Sequence, residues 1–430
     1  MCCSAAALSK SRLEGPGMSG PLTAALRPLG LKPLSWQHLR THHRPGAGIS
    51  ALYQVEAVPR RGSAGSAGSG RAESSVQLQV GATTAALTAE QGRRTVRGTV
   101  DGTGLRLWVH PRDPVLTGLA WATNPGAVAR GLFGAETEEA RAALTLAAYR
   151  PLRRAVVRST FEGSTAYLKV LHPGAAQGLR RRLEAAAAAG LPVPALLDPA
   201  LGAGAGAGAG AGVGAETDGV LALGALPGRS LHQQMHSAQA GVEPQQLLDL
   251  LAGLPAAALA FPRKPAWADR VVDYAAGASV AFPKEAERIA RCARETDAAV
   301  RATDPGPVVP VHGDFHGGNL LVDAARGGQE ISGLLDVDAL GPGHRVDDLA
   351  CFVGHLFVFA AVNHTRPDLQ ASAERFAAAF AAEAQPGALY SRAAAVALTL
   401  VAGAAGRGHA AAEQALAAAE GLLERARNPS

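Results

Sequence analysis

The chain has 430 residues, 47% of them hydrophobic and 18% charged, with a formal net charge of +5. That length exceeds one ordinary core and predicts two or three packed units. Lys and Arg are dispersed instead of gathered into a basic stripe interleaved with aromatics, which argues against nucleic-acid binding and leaves an anionic small ligand open.

The first residues, MCCSAAALSKSRLEGPGMSG, lack the apolar run of a signal peptide, and no later apolar stretch runs uninterrupted for a bilayer's thickness. A cytoplasmic protein with no membrane partner is expected. Four cysteines, Cys2, Cys3, Cys292 and Cys351, show no CxxC pairing, which suits a reducing compartment. Residues 1–34 read as a leader, disordered or helical, with Met18 as an alternative start.

Residues 35–142 read as a β-rich segment: ISALYQVEAV, SVQLQV, RTVRGTV and GLRLWVH are broken by Gly-rich turns such as DGTG. GSAGSAGSG (62–70) and GAGAGAGAGAG (202–212) are low-complexity loops, too poor in apolar area to offset their ordering entropy. GAETEEARAAL (134–144) has helical composition. TLAAYRPLRRAVVRSTFEGSTAYLKVLHPG then predicts three strands, joined around Pro151 and at Glu162-Gly163, and AAQGLRRRLEAAAAAG predicts a helix closed by Gly190.

GVLALGALPGRSLHQQM predicts a strand, a turn at Pro227-Gly228 and a helix start. From there to the end the pattern is Ala-rich amphipathic helix, interrupted around HGDFHGGN and ISGLLDVDALGPG. The class is therefore α+β, with strands first and helices after.

The stretch VHGDFHGGNLLVD (311–323) carries the chemistry, and three readings compete for it: a metal cage, a phosphate loop and a buried polar turn. His312, Asp314 and His316 alternate, and on a strand they would share a face suited to Zn²⁺. Gly313, Gly317 and Gly318 argue for a loop, which makes His316 filler or a substrate contact. Leu320 to Val322 and Ile331 to Leu335, with a turn at Gly327-Gly328, predict a hairpin that brings Asn319 and Asp336 together near Asp314. Two oxygen ligands suit Mg²⁺, and a further carboxylate can orient a hydroxyl for in-line attack.

Lys169, in the apolar strand AYLKVL, needs a phosphate and a carboxylate partner if it is buried, and Glu184 on the following helix is the expected one. The bland alternatives are an edge-strand gatekeeper for Lys169 and a helix-surface pair of Glu184 with Arg180 or Arg181.

Together, H-G-D-x-x-x-x-N (His312 to Asn319), L-L-D (Leu334 to Asp336) and D-D-L-A (Asp347 to Ala350) resemble the catalytic core of the aminoglycoside phosphotransferase and choline kinase-like family. The resemblance implies a bilobal protein-kinase-like fold, with a β-rich N-lobe and hinge at 143–228 and a helical C-lobe at 229–430. The additional β-rich segment before residue 143 is similar to that of maltokinase-like proteins. The implied cofactors are ATP, with GTP as the alternative nucleotide, and Mg²⁺.

Carried over residue by residue, the resemblance makes Asp314 the catalytic base, Asn319 and Asp336 the metal ligands, and Lys169 with Glu184 the phosphate-holding pair. Leu223 to Ala225 become the adenine-binding backbone, His312 and Gly313 shape the loop, and Asp348 braces it. Asp338 adds a carboxylate of open role. No GxGxxG is present, and the corresponding turn is Arg150-Pro151-Leu152-Arg153.

The implied acceptor is a small-molecule hydroxyl of the aminoglycoside, sugar or amino-alcohol class. Glu243, Asp249, Asp269 and Asp273 are available for an amino sugar, and Trp267, Tyr274 and His355 for a neutral one. The alternatives are a metal-dependent phosphoesterase, for which no upstream D-x-H is found, and a non-catalytic nucleotide-binding module. Nothing in the pattern specifies an oligomeric state.

Overall fold

The structure is a computed structural model that describes residues 12–44, 48–60, 74–197, 217–237, 241–323 and 330–428. Cys2, Cys3, both low-complexity runs and the Gly327-Gly328 turn lie outside the described residues. The chain divides into two compact units, one formed by residues 1–177 with 196–224 and the other by 178–195 with 225–430.

The first unit holds two antiparallel sheets. In one, β1 (Leu31–Arg44), β2 (Gly48–Pro59), β3 (Val76–Thr83), β4 (Val96–Val100) and β5 (Thr103–Val109) are ordered β1-β2-β3-β5-β4. Strand β2 is buried on both faces, because side chains alternate along a strand. Its Ala51, Tyr53, Val55 and Ala57 join Leu22 and Leu26 of helix α1 (Ser19–Leu26) in one core, whereas Leu52 belongs to another.

That second core lies on the other sheet, built from β6 (Ala143–Arg150), β7 (Arg154–Phe161), β8 (Ser164–Leu171), β9 (Leu196–Leu197) and β10 (Val220–Gly224) in the order β6-β7-β8-β10-β9. Ala166, Leu168 and Val170 of β8 pack there with Leu119, Trp121 and Val128. Three strands were expected over residues 145–174, and β6, β7 and β8 are those strands.

One expectation for this unit needs correction. A helix was expected over 134–144, but the chain there is irregular until β6 begins at Ala143. Gly134 caps the preceding helix in a left-handed conformation, and Ala135, Ala140 and Ala142 reach the core from irregular chain while Glu136, Glu138 and Glu139 are exposed. Residues 119–133 contain helices α3 (Leu119–Ala122) and α4 (Pro125–Phe133), following the short α2 (Ala89–Arg93). Asn124 caps α4 by accepting from the N–H groups of Gly126 and Ala127, with Pro125 in the first turn.

Asp113, only 3% exposed, ties the turn between β6 and β7 to the chain that precedes both strands. Its Oδ1 accepts from the N–H groups of Val115 (2.9 Å) and Leu116 (3.1 Å). Its Oδ2 accepts from Tyr149 Oη (2.9 Å) and the Leu152 N–H (2.9 Å), and Trp108 Nε1 donates to Tyr149 Oη at 3.1 Å. Leu152 sits at φ +63°, in a turn closed by Arg153 N–H on the Arg150 carbonyl, with Pro151 preceding it. A non-glycine residue at positive φ is costly, and the Asp113 bond holds it there. Burial pushes the Asp113 carboxyl up, against these four hydrogen bonds.

The second unit begins within α5 (Pro173–Ala188), the helix expected after the three strands. It carries two small sheets. Strands β11 (Arg229–Ser230), β13 (Leu320–Val322) and β14 (Ile331–Leu334) form one, and β12 (Val308–Val311) with β15 (Gly341–His344) the other. Around them lie α6 (Leu231–His236), α7 (Pro244–Ala252), α8 (Val271–Ala281), α9 (Ala286–Arg301), α10 (Arg345–Val362), α11 (Pro367–Glu383), α12 (Pro386–Ala405) and α13 (His409–Arg427).

Helix α12 is long and apolar enough to cross a membrane by length and composition, yet 67% of that apolar window is buried inside the protein. Its close approach to α10 explains Gly354. A Cβ there would lie 2.6 Å from the Ala393 carbonyl oxygen. The expected class is the observed one: α+β, with sheets first and helices after.

Candidate active site

His312 leaves the end of β12 fully buried, and the loop it opens is held by its backbone. The His312 N–H donates to Asp348 Oδ2 at 2.7 Å, and the Gly313 N–H donates to Asp348 Oδ1 at 2.8 Å. Asp348 lies in the first turn of α10, with no exposed surface. Burial pushes its carboxyl up, whereas His312, the two N–H groups and Arg345 draw it down.

Gly313 is required twice over: its φ is +80°, and a Cβ would stand 2.8 Å from the Ala339 Cβ. The His312 ring accepts the Asp314 N–H on Nδ1 (3.3 Å) and donates from Nε2 to the Leu335 carbonyl (2.9 Å).

Asn319 closes the loop. Its Nδ2 donates to the Asp314 carbonyl at 2.9 Å and lies 3.5 Å from Asp314 Oδ2, while its N–H donates to the His316 carbonyl at 2.9 Å. With the amide nitrogen used in this way, Asn319 Oδ1 accepts no hydrogen bond among the described residues. In the β13–β14 hairpin Leu320 faces Leu334, and the Leu335 N–H donates to the Asn319 carbonyl at 2.8 Å. Asn319 and Asp336 therefore stand at the same end of the hairpin, and Asp336 sits at φ +59° where β14 ends.

The indole Nε1 of Trp267 donates to Asp314 Oδ1 at 3.2 Å, a contact across 47 residues for which the sequence carries no signal. Trp267 packs on Tyr274 (5.3 Å, tilted 42°), and Arg270 lies 5.1 Å over the Tyr274 ring. Lys264 donates to the Asp338 carbonyl. Burial lowers the Arg182 guanidinium, and the charge of Asp338 opposes that effect.

The zinc face of His312, Asp314 and His316 does not form. The segment is a loop, and both His312 ring nitrogens are taken by the backbone. Nor is His316 filler: its ring stacks on His355 at 4.1 Å and 11°, and its Nδ1 accepts the Gly318 N–H at 3.0 Å. His232 continues this apolar-walled group by stacking on Phe359 at 5.0 Å and 14°. Burial lowers all three imidazoles, His232 to about 4 and His355 well below its ordinary value.

The expected nucleotide-binding residues divide between the units. In the first, Lys169 is 7% exposed on β8, in register with Val156 of β7 and Leu221 of β10. Leu223 lies two residues farther along β10, paired with Tyr167 and Leu196. In the second unit Glu184 is exposed on α5, and Ala225 is exposed just beyond β10. His312, Asp314, Asn319, Asp336, Asp338 and Asp348 gather within the second unit.

A model of the phosphotransferase enzyme family matches residues 152–422, more than half of the chain. A search of curated proteins finds no match. Among solved structures, the apo form of a thermostable mutant of aminoglycoside phosphotransferase APH(4)-Ia aligns over 66% of this chain and 95% of its own, at 17% identity and a TM-score of 0.42. A choline/ethanolamine kinase family protein from Mesorhizobium loti aligns over 66% and 88%, at 16% identity and a TM-score of 0.41. The APH(3'')-Id enzyme of Streptomyces rimosus aligns over 60% and 92%, at 17% identity and a TM-score of 0.38.

Proposed function

Because the chain belongs to the phosphotransferase enzyme family, we propose that it moves the γ-phosphoryl group of ATP to a hydroxyl of a small molecule. The acceptor oxygen forms the new P–O bond as the bond between the γ-phosphorus and the bridging oxygen to the β-phosphate breaks, and the hydroxyl proton passes to Asp314. One observation carries this reading: Asp314 and Asn319 are hydrogen-bonded within a single loop whose backbone is held by the buried Asp348. Such a loop presents a carboxylate in a fixed place at little cost in reorganisation.

Asn319 Oδ1 and the Asp336 carboxylate are hard oxygen donors at one hairpin end, a set that fits Mg²⁺. Bound there, the ion would draw charge from the transferring phosphate oxygens. The Lys169 ammonium would bind nucleotide phosphates, and the backbone around Leu223 would read adenine. Asp338 has a positioning role toward Arg182.

For the acceptor, a neutral sugar-like ring is favoured. Trp267 and Tyr274 form an aromatic wall beside Asp314. Most of the acidic residues that an amino sugar would need are engaged elsewhere: Glu243 with Arg375, Asp249 with Gln245, and Asp269 with the Ala266 N–H.

Asp314→Asn tests the reading. Turnover should fall about a thousandfold, while the rise in thermal stability given by MgATP persists; unchanged turnover would remove Asp314 from the reaction. Asp336→Ala should abolish the Mg²⁺-dependent part of that rise. MgGTP beside MgATP reports nucleotide choice, and a wild-type protein stabilised by neither would overturn the proposal.

A further inference from the structure

Cys351 and His355 stand four residues apart on α10, so their side chains share one face of the helix a turn apart. They face the 312–319 loop, and one ligand atom each of Asp314, Cys351 and His355 lies within 4.8 Å of the other two. We propose that these three side chains form a site for a thiophilic divalent cation of the zinc class, distinct in ligand chemistry from the oxygen pair of Asn319 and Asp336.

Sulfur and imidazole donors select zinc-like ions, whereas carboxylate and amide oxygens suit Mg²⁺. A zinc tetrahedron built from bonds of about 2.0–2.3 Å has edges of roughly 3.5 Å, so closing the site takes about 1 Å of side-chain movement. One outer contact already orients a ligand. The His316 ring stacks on His355 at 4.1 Å and fixes its plane.

Cys351 is 1% exposed, but Asp314 and His355 are only partly buried and give the ion its way in. Three protein ligands leave a fourth position for water. On binding, the thiol releases its proton to solvent as the sulfur–metal bond forms. The site shares Asp314, so on the reading given above a bound ion would also stop phosphoryl transfer.

The test is spectroscopic and needs neither nucleotide nor acceptor, so it stands or falls independently of that reading. The full chain carrying Cys2→Ser and Cys3→Ser is titrated with Co²⁺, and the thiolate-to-cobalt charge-transfer band is followed. One equivalent should produce the band, Zn²⁺ should displace it, and excess Mg²⁺ should leave it intact. Adding Cys351→Ser should abolish the band, and Cys292→Ser should keep it. His355→Asn, at a partly buried position, should weaken cobalt binding at least tenfold while the thiol remains, which keeps the test decisive if Cys351→Ser fails to fold. Absence of the band, its survival in Cys351→Ser, or unchanged affinity in His355→Asn would overturn the site.

Discussion

Asp348 holds His312 by its main chain: a fully buried carboxylate accepts the His312 N–H at 2.7 Å with one oxygen and the next N–H with the other. An amide at this position would turn an N–H₂ group toward one of those donors. Asp348→Asn should therefore cost about 2–3 kcal/mol of unfolding free energy, measured by urea denaturation. A loss below about 0.5 kcal/mol would place the support of the loop elsewhere.

Gly313→Ala adds a methyl group that must sit 2.8 Å from the Ala339 Cβ at a φ of +80°. Positive φ alone costs an L-residue about 1–2 kcal/mol. The variant should unfold at lower denaturant and lose turnover through displacement of Asp314, with nucleotide-induced stabilisation retained. Wild-type turnover would show that the loop tolerates the shift.

Asp347 gives the fold a pH dependence. Burial raises its carboxyl to about 6, against the pull of Arg392 at 3.2 Å and His344 and with the push of Asp269 and Asp348. The folded state therefore binds the proton more tightly than the unfolded chain, whose carboxyl keeps its ordinary value of 3.8. The contribution of Asp347 to stability grows as pH falls through 6 toward 4, by on the order of 2 kcal/mol. Asp347→Asn, uncharged at every pH, should lack this dependence and be the more stable protein above pH 6, with the difference between the two shrinking as acid is added. A difference independent of pH would contradict the raised value.

The aromatic wall predicts a change in acceptor affinity. Trp267→Ala removes the ring and its hydrogen bond to Asp314 together, and KM for a neutral sugar acceptor should rise about tenfold, or about 1.4 kcal/mol, with nucleotide affinity unchanged. An unmoved acceptor KM would mean that the acceptor binds elsewhere.

Asp113→Ala leaves the Tyr149 hydroxyl and three backbone N–H groups without their acceptor in a buried place. A loss of about 3 kcal/mol is expected, visible as a lower melting temperature. Tyr149→Phe, which removes one donor and leaves the carboxylate its other three, should cost about 1 kcal/mol.

The loop around Asp314 was legible because it is local. Glycines at 313, 317 and 318 break strand alternation, and the hairpin that aligns Asn319 with Asp336 spans few residues. Lys169 could be recognised by its apolar strand neighbours, and β8 does bury it. The 134–144 stretch misled because its helix-forming composition is overridden by the left-handed cap at Gly134 and by strand pairing that begins at Ala143. Helices α3 and α4 escaped notice because Gly and Ala mask their periodicity, although Asn124-Pro125 is a capping signal. Trp267 on Asp314 and Asp113 on Leu152 join residues 47 and 39 positions apart, and such pairs are set by packing, to which periodicity is blind.

The stretch shared with the phosphotransferase family begins at Leu152, the residue whose N–H is taken by Asp113. The edge of the family match therefore falls inside a hydrogen-bonded cluster of the fold. A fragment trimmed to the recognisable family region would start inside a knot whose other strands, Trp108, Asp113 and Tyr149, had been cut away. The first turn of the matched region is held by a residue that lies outside it.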